Sequence, residues 1–215
     1  MNDAPSTRVA QPWPLTEAFR RLLDITASAL LLLLLSPALL LIAWRIRRDS
    51  PGTALFRQTR AGRDLRPFTL YKFRTMRTDA DPYGSSPHAP DDPRLTLFGR
   101  RLREWSLDEL PQLWNVLRGD MTVVGPRPLY VEQAKEWNDR QKLRLRVKPG
   151  LTGLAQISGR GGLTIEEKLE LDVQYVLHRS LLGDLAIVIR TVFGLRSRAE
   201  IYEKRYSQSE EFRPK

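Results

Sequence analysis

The chain has no cysteine and only two histidines, His88 and His178, among its 215 residues. A disulfide framework, a cysteine nucleophile and a thiolate-bound zinc are therefore excluded. The two histidines lie far apart in the sequence, which disfavours a histidine-rich metal site. Any metal that this protein binds is expected to be a hard cation held by carboxylate and phosphate oxygens, with Mg²⁺ as the first expectation.

Positive charge is in excess, with 35 Lys and Arg against 25 Asp and Glu and a formal net charge of +10. Such a balance indicates an anionic partner: nucleic acid, acidic lipid or a phosphorylated substrate. The length predicts one folded domain plus a membrane element. The expected fold class is mixed α/β, mostly helical.

One long apolar segment, residues 25–44, contains no charged side chain. As a helix it would span roughly 30 Å, which is enough to cross the core of a bilayer. Pro37 stands in its middle, where it removes a backbone hydrogen bond, and Ser36 beside it can bond the carbonyl that this frees. Arginines flank both ends of the segment, at Arg20, Arg21, Arg45, Arg47 and Arg48.

Because lysine and arginine collect on the cytoplasmic side of membranes, both flanks favour the cytoplasm. This predicts a re-entrant helix over residues 18–48, which enters and leaves the membrane by the same face. A kinked helix that crosses the membrane once is the alternative, and the residues leave it open. In both cases residues 49–200 form a cytoplasmic domain, between a mobile tail at 1–17 and a second tail at 201–215. Residues 181–193 are expected as an apolar helix, on the membrane surface or in the core.

Residues 106–115, with the sequence SLDELPQLWN, place two carboxylates side by side at the start of a helical pattern. An ionised carboxylate can attack phosphorus or bind Mg²⁺, so Asp108 and Glu109 are candidate catalytic residues and Asp108 is a candidate metal ligand. A helix start is expected to keep Asp108 ionised. The alternative is purely structural, because Ser106 and Glu109 also fit a capping box.

Several basic residues are candidates to neutralise a phosphate beside this pair. Arg127 lies between two prolines that restrict its backbone, so its planar guanidinium is held ready for a bidentate contact with phosphate. The other candidates for binding substrate phosphate are Lys72, Arg103 and Arg160. Taken singly, each is also explained as a solvated surface charge or a contact to an anionic lipid headgroup.

The glycine-rich residues 150–162 lack the Walker A pattern, so they are not a phosphate-binding loop of that type.

The chain resembles the bacterial sugar transferases, which are monotopic polyprenyl-phosphate phosphoglycosyl transferases, in a series of motifs. These are Ser36-Pro37, YKFRTM at residues 71–76, SLDELPQLWNVLRGDM at 106–121, VGPRP at 124–128 and KPGLTGLAQ at 148–156. The long central motif is the most specific of them. The chain is similar to the short form of the family, which lacks additional N-terminal membrane helices.

The resemblance implies transfer of a sugar 1-phosphate from a UDP-sugar to a polyprenyl phosphate such as undecaprenyl phosphate, with release of UMP. It implies a re-entrant membrane helix broken at Ser36 and Pro37, in the bacterial inner membrane with the catalytic domain on the cytoplasmic face. It also implies a covalent mechanism, in which Asp108 is the nucleophile and Glu109 its catalytic partner. The matching cations of the anionic site are Lys72, Arg103, Arg127 and Arg160.

Two other functions are weighed against this one. A lipid-phosphate phosphatase would use the same carboxylate, metal and cations with water as the acceptor. A basic membrane-tethered module would bind nucleic acid or a partner protein without catalysis. The sequence predicts no oligomeric state for any of these functions. Because the basic residues are dispersed among prolines and acids rather than gathered in a stripe, nucleic-acid binding is disfavoured.

Overall fold

A computed structural model of the protein describes residues 14–84, 86–87 and 89–194, apart from the side chain of Arg160. His88 and most of the two predicted tails lie outside these residues. Within them the fold is mostly helical, with two small sheets of two strands each and one long apolar helix near the N-terminus. This confirms the predicted mixed α/β, mostly helical architecture.

The first helix, α1, runs from Pro14 to Asp49 and is long and apolar enough to cross a membrane. The chain stays helical through Ser36 and Pro37, so the break expected there does not interrupt the helix. It extends the predicted 18–48 at both ends. Pro37 lies inside it and, lacking an N–H, leaves the carbonyl of Leu33 without its helical donor. The Ser36 hydroxyl donates to that same carbonyl oxygen at 2.8 Å. The predicted compensation of the proline by the serine is therefore confirmed.

The N-terminal part of α1 packs on the rest of the protein through polar side chains. The guanidinium of Arg21 donates to the carbonyl oxygens of Val116 and Leu117, at 2.6 and 2.7 Å, and so caps the end of a later helix. The buried Asp24 carboxylate accepts from the backbone N–H of Val123 at 2.9 Å. These contacts attach the start of α1 to the globular domain.

The C-terminal part of α1 contacts the same domain through apolar packing. Ile46 is buried in a cluster with Ala54, Phe73 and Leu102. Asp49, the last residue of the helix, accepts from the backbone N–H of Phe98 at 3.2 Å. Between the two attached ends the helix exposes leucines over most of its surface, at Leu30, Leu31, Leu33, Leu34, Leu40 and Leu41.

Strands β1 (Leu55–Ala61) and β2 (Pro67–Phe73) form an antiparallel hairpin after α1. Both contain apolar, β-prone residues, as is typical of strands. Helices α2 (Leu97–Glu104) and α3 (Gln112–Arg118) follow, and α3 ends at Gly119, whose φ of 91° suits glycine in the left-handed region.

The remaining elements build a second small sheet and its helical cover. Strands β3 (Thr122–Val124) and β4 (Gly150–Thr152) pair in parallel. Their connection contains α4 (Val131–Lys135), α5 (Asp139–Lys142) and a 3-10 turn at Leu143–Arg146. After β4 come α6 (Leu154–Ser158), α7 (Ile165–Leu177) and α8 (Leu181–Gly194). A capping box formed by Thr164 and Glu167 opens α7.

An ionic cluster joins the start of α1 to α7 and α8, and we call its five residues Glu17, Arg20, Tyr175, Arg179 and Asp184 the anchor cluster. Arg20 donates to both Asp184 and Glu17 at 2.8 Å. Arg179 also donates to Glu17 at 2.8 Å, and the hydroxyl of Tyr175 donates to Asp184 at 2.8 Å. Both carboxylates of this cluster are thereby paired.

Helix α8 itself has one buried residue, Ile187, in the core formed with Val124, Tyr175 and Val176. Val188 is partly buried against the same core, and six large apolar side chains are exposed, at Leu181, Leu182, Leu185, Ile189, Val192 and Phe193. The helix is therefore attached to the core along a narrow edge and presents an apolar surface.

Candidate active site

The two adjacent carboxylates lie on a 3-10 turn at Leu107–Glu109, between α2 and α3. Ser106 precedes the turn in the left-handed conformation, with φ of 55°, and its side chain caps nothing. The capping box that the sequence offered as a structural alternative is therefore absent. A serine held at positive φ is an uncommon backbone state, and such states cluster at functional sites.

Asn115 fixes this turn and α3 to the strand that carries Lys72. Its side chain is completely buried and donates to the carbonyl oxygen of Thr69 at 2.7 Å, while its own oxygen accepts from the N–H of Tyr71 at 3.1 Å. Because both bonds go to the backbone of β2, the helix after the carboxylates and the strand are held in one register. Lys72 then follows directly on β2.

Glu109 accepts two charge-assisted hydrogen bonds on one oxygen. Lys72 Nζ lies 2.7 Å from Glu109 Oε1, and Arg127 Nη2 lies 2.9 Å from the same atom. The three residues come from β2, from the 3-10 turn and from the loop after β3. An ammonium has three donors and a guanidinium five, so each cation can hold Glu109 and a phosphate oxygen at the same time.

Asp108 differs from its neighbour. It is 8% exposed, and within the described part of the chain no hydrogen bond or ion pair holds its carboxylate. The charges of Lys72, Arg103 and Arg127 still act on it. A buried carboxylate in a cationic setting without a direct partner is what a nucleophile needs, because its lone pairs are not already used.

The two carboxyl groups titrate in opposite directions. Burial, reinforced by the charge of Glu109, raises the pKa of Asp108 despite the attraction of Lys72. Burial also acts to raise the pKa of Glu109, but the charges of Arg127 and Lys72 outweigh it and hold that pKa well below its usual range. Desolvation thus acts against the ionised form of Asp108, whose ionisation stays a prediction.

Burial also acts on the cations of the site. It lowers the pKa of Lys72, against the attraction of Glu109. Arg60 on β1 lies with its guanidinium 3.7 Å from the ring centroid of Tyr130, and burial lowers its pKa to about 10. Since both Arg127 and Glu109 influence Arg60, this arginine belongs to the electrostatic surroundings of the site.

The surroundings of Asp108 fit the way in which proteins usually bind Mg²⁺. The described residues contain no cluster of three or more Asp, Glu, His or Cys side chains that could hold a metal ion. Mg²⁺ does not require such a cluster, because it is commonly bound by one or two carboxylates together with substrate phosphates and water. The unpartnered carboxylate of Asp108 fits that mode of binding.

With this geometry established, comparison with known proteins assigns the family. The family model described as bacterial sugar transferase matches residues 15–198, most of the chain. The chain belongs to the bacterial sugar transferase family. That family assignment confirms the resemblance found in the sequence motifs.

Several curated relatives are similar over most of the chain. A Bacillus subtilis protein named as an uncharacterized sugar transferase, EpsL, is 46% identical over 80% of this chain and 85% of its own length. A UDP-glucose:undecaprenyl-phosphate glucose-1-phosphate transferase of Caulobacter vibrioides is 46% identical over 85% of this chain and 72% of its own. An Escherichia coli protein of the same name is 43% identical, and the matched region is only 39% of its length.

The fold brings most of the predicted site residues of this sugar transferase together. Lys72 and Arg127 contact Glu109 directly, and Arg103 acts on Asp108 through its charge. Arg160 lies in a 3-10 turn at Arg160–Gly162, and its side chain is outside the described part of the protein. Its predicted contact with phosphate stays a prediction.

Sequence reasoning did not assign Asn115 or Arg60 to the site. Asn115 carried a signal, since it is a polar residue among apolar ones in a short helical pattern. Arg60 carried none, because a buried arginine and a solvated arginine look the same in one sequence.

Proposed function

We propose that this protein transfers a sugar 1-phosphate from a UDP-sugar to a polyprenyl phosphate, such as undecaprenyl phosphate, and releases UMP. The observation that carries the proposal is the pair of adjacent carboxylates in one cationic site, with Glu109 bound by two cations and Asp108 bound by none among the described residues. The names of the relatives, among them UDP-glucose:undecaprenyl-phosphate glucose-1-phosphate transferases, support the same reaction class.

In the first step, an Asp108 carboxylate oxygen attacks the phosphorus that carries the sugar. A bond forms between that oxygen and phosphorus, and the bond from phosphorus to the oxygen bridging the two phosphates breaks. UMP leaves with the bonding electron pair, so that the sugar phosphate is held on Asp108. In the second step, an oxygen of the polyprenyl phosphate attacks the same phosphorus and releases Asp108. Splitting the reaction in two spares the enzyme from holding both anionic substrates at once.

Lys72 and Arg127 stabilise the negative charge that spreads over the phosphoryl oxygens during each step. Glu109 holds these two cations at a fixed place through one oxygen, at 2.7 and 2.9 Å. An Mg²⁺ ion, bound by Asp108 and by the phosphates of the substrate, would add charge neutralisation at the same phosphorus. Of these two cations, Arg127 is the more exposed and therefore the more accessible to an incoming anion.

The contacts of α1 support a re-entrant helix rather than a single crossing. Arg21 and Asp24 near its start and Ile46 and Asp49 at its end all contact the one globular domain. Because a globular domain lies on one side of the hydrocarbon core, contacts of both ends with it favour ends on the same side of the bilayer. We therefore place both ends at the cytoplasmic face of the bacterial inner membrane, with the exposed surface of α8 against anionic membrane lipids.

Cysteine labelling tests this topology. Because the chain has no native cysteine, only the introduced cysteine can react with the reagent. One cysteine is placed at Thr7, before α1, and in a second variant one is placed at Asp79 in the globular domain. In intact cells, neither is expected to react with a membrane-impermeant reagent. Labelling of the Thr7 variant alone from outside would replace re-entry by a single crossing.

A UMP-release screen tests the reaction itself. Purified protein is incubated with Mg²⁺, undecaprenyl phosphate and each of a series of UDP-sugars, and both UMP and inorganic phosphate are measured. At least one sugar is expected to give UMP in an amount that depends on the lipid phosphate. Release of inorganic phosphate from the lipid without any need for a UDP-sugar would instead support the phosphatase.

A further inference from the structure

The loop that presents Arg127 is held through its carbonyl oxygens. Because Pro126 and Pro128 have no N–H, the backbone here has few donors of its own. The carbonyls of Pro126, Arg127 and Leu129 accept, in that order, from the Gly150 N–H, the Arg144 guanidinium and the Ala61 N–H. Three separate segments of the chain thus fix the backbone at Arg127 and on both sides of it.

The Arg144 donor is unusual because its charge is almost completely buried. Arg144 is 3% exposed and its partner Asp172, on α7, is 2% exposed. Arg144 Nε and Nη2 both lie within hydrogen-bond distance of Asp172 Oδ2, at 3.0 and 2.6 Å, and Nη2 is also the donor to the Arg127 carbonyl. Trp137 covers the guanidinium, with its ring centroid 4.8 Å away.

Burying such an ion pair contributes little to the free energy of unfolding by itself. The desolvation of two charges cancels much of their attraction, and buried ion pairs can often be replaced by apolar residues without loss of stability. Arg144 nevertheless makes one bond that an apolar residue cannot make, the bond to the backbone of the residue that contacts Glu109.

We propose that the Arg144–Asp172 pair is a positioning device that sets the direction of the Arg127 guanidinium in the active site. Asp172 orients Arg144, Arg144 holds the Arg127 carbonyl, and the side chain of Arg127 is thereby directed at Glu109 and at the substrate phosphate. The role in catalysis rests on the proposed transferase reaction, whereas the restraint on the loop does not.

The chain contains a matched control for this pair. Arg140 and Glu170 form an ion pair at 2.6 Å that joins α5, directly before the turn of Arg144, to α7, which also carries Asp172. Both of its side chains are about half exposed, and within the described structure neither has a hydrogen bond or ion pair with the Arg127 loop. Glu170→Gln therefore removes an ion pair between the same elements without releasing Arg127.

The kinetic experiment compares Asp172→Asn, Arg144→Lys and Glu170→Gln. The first two are expected to lower kcat/KM by about tenfold to a hundredfold, because a small displacement of a group that stabilises the transition state has effects of that size. Arg144→Lys keeps the charge facing Asp172 but lacks the planar fork that reaches both partners. Glu170→Gln is expected to stay within about twofold of the wild type.

A double-mutant cycle separates positioning from general damage. In an Arg127→Ala background, Asp172→Asn is expected to have almost no further effect, since the residue through which it acts is gone. If the two losses multiply instead, Asp172 does not act through Arg127 and the proposal is overturned.

A measurement that needs no catalysis decides the structural half. Hydrogen exchange is followed in the peptide covering residues 124–130, in the wild type, in Glu170→Gln and in the double variant Arg144→Met with Asp172→Leu. The double variant is expected to fold, since it replaces the pair by apolar residues, yet to exchange faster in this peptide alone. Unchanged exchange there would overturn the proposal, whether or not the wild type releases UMP.

Discussion

The active site and the anchor cluster are built from the same kinds of residue, two carboxylates and their cations, but they use their charges differently. In the anchor cluster, Glu17 and Asp184 are both bound by arginine at 2.8 Å. In the active site, Glu109 takes both contacting cations, and Asp108 has no direct partner in the described structure. Both carboxylates of the anchor cluster therefore have a direct cationic partner, whereas only one of the two in the active site has one among the described residues.

The difference separates a structural role from a chemical one. A paired carboxylate holds elements together, and its remaining reactivity is low. A buried carboxylate without a partner costs stability, so its presence needs a reason other than folding. Perturbed pKa values of this kind cluster at functional sites. The raised pKa of Asp108 and the lowered pKa of Glu109 therefore mark two roles within one dyad.

The largest effect is expected from Asp108→Asn. The change keeps the shape of the side chain and removes the proposed nucleophile, so turnover should fall by at least about a thousandfold. Because the pKa of Asp108 is raised on folding, its ionisation disfavours the folded state at neutral pH. The thermal midpoint of Asp108→Asn should consequently equal or exceed that of the wild type. Near-normal UMP release by this variant would remove Asp108 from the mechanism.

The pH dependence of activity gives the next effect. The acid limb of the pH profile of kcat/KM should report the ionisation of Asp108, because its pKa is raised above the usual range for aspartate. It should not report Glu109, whose lowered pKa keeps it ionised throughout that pH range. The Glu109 charge helps to raise the pKa of Asp108. Glu109→Gln should therefore be severely impaired, and the acid limb of its residual activity should move to lower pH. Movement to higher pH would reverse the assigned roles of the two carboxylates.

Stability should respond to pH in opposite senses at the two positions. Above the ordinary pKa of a glutamate, the Glu109 cluster contributes its full stability, which is lost only as the pH falls through the lowered folded pKa. For Asp108, the folded protein loses stability as the pH rises from the ordinary aspartate pKa through the raised one. Acid unfolding of Asp108→Asn and Glu109→Gln, followed by circular dichroism, measures both slopes.

The smallest effect on turnover is expected in the anchor cluster. Asp184→Asn leaves Arg20 and Tyr175 without their charged partner, and should cost about 2 kcal/mol of stability. In detergent, the kcat of the folded variant should stay within about threefold of the wild type. The control is Glu132→Gln, which breaks an exposed pair with Lys135 and should change stability by less than about 0.5 kcal/mol. A turnover loss like that of Asp108→Asn would erase the contrast between the clusters.

Local chemistry made some features of the molecule predictable from the sequence. The bond from Ser36 to Leu33 follows from the missing N–H of Pro37, and the end of α3 follows from Gly119. The fold class and the two hairpin strands follow from composition and residue preference. The family motifs identified Asp108, Glu109, Lys72 and Arg127 together.

Other features depend on residues that meet only in the folded protein. Lys72 lies 37 positions from Glu109, and Arg127 lies 18 positions from it, so their bonds to one oxygen are a tertiary result. The same bonds explain why the local capping box did not form, since Glu109 has stronger partners elsewhere. The Arg144–Asp172 pair was not predicted either, because burial, and not residue type, sets it apart from Arg140–Glu170.

The measurement that tests the central claim most directly is made without the lipid acceptor. Enzyme, Mg²⁺ and an active UDP-sugar are mixed, and UMP is quantified at early times. The mass of the intact protein is then measured by mass spectrometry. We predict one UMP per active site, a mass increase of one sugar phosphate located on Asp108, and neither signal in Asp108→Asn. If UMP and adduct appear only after polyprenyl phosphate is added, with kinetics of a ternary complex, the covalent role of Asp108 is contradicted.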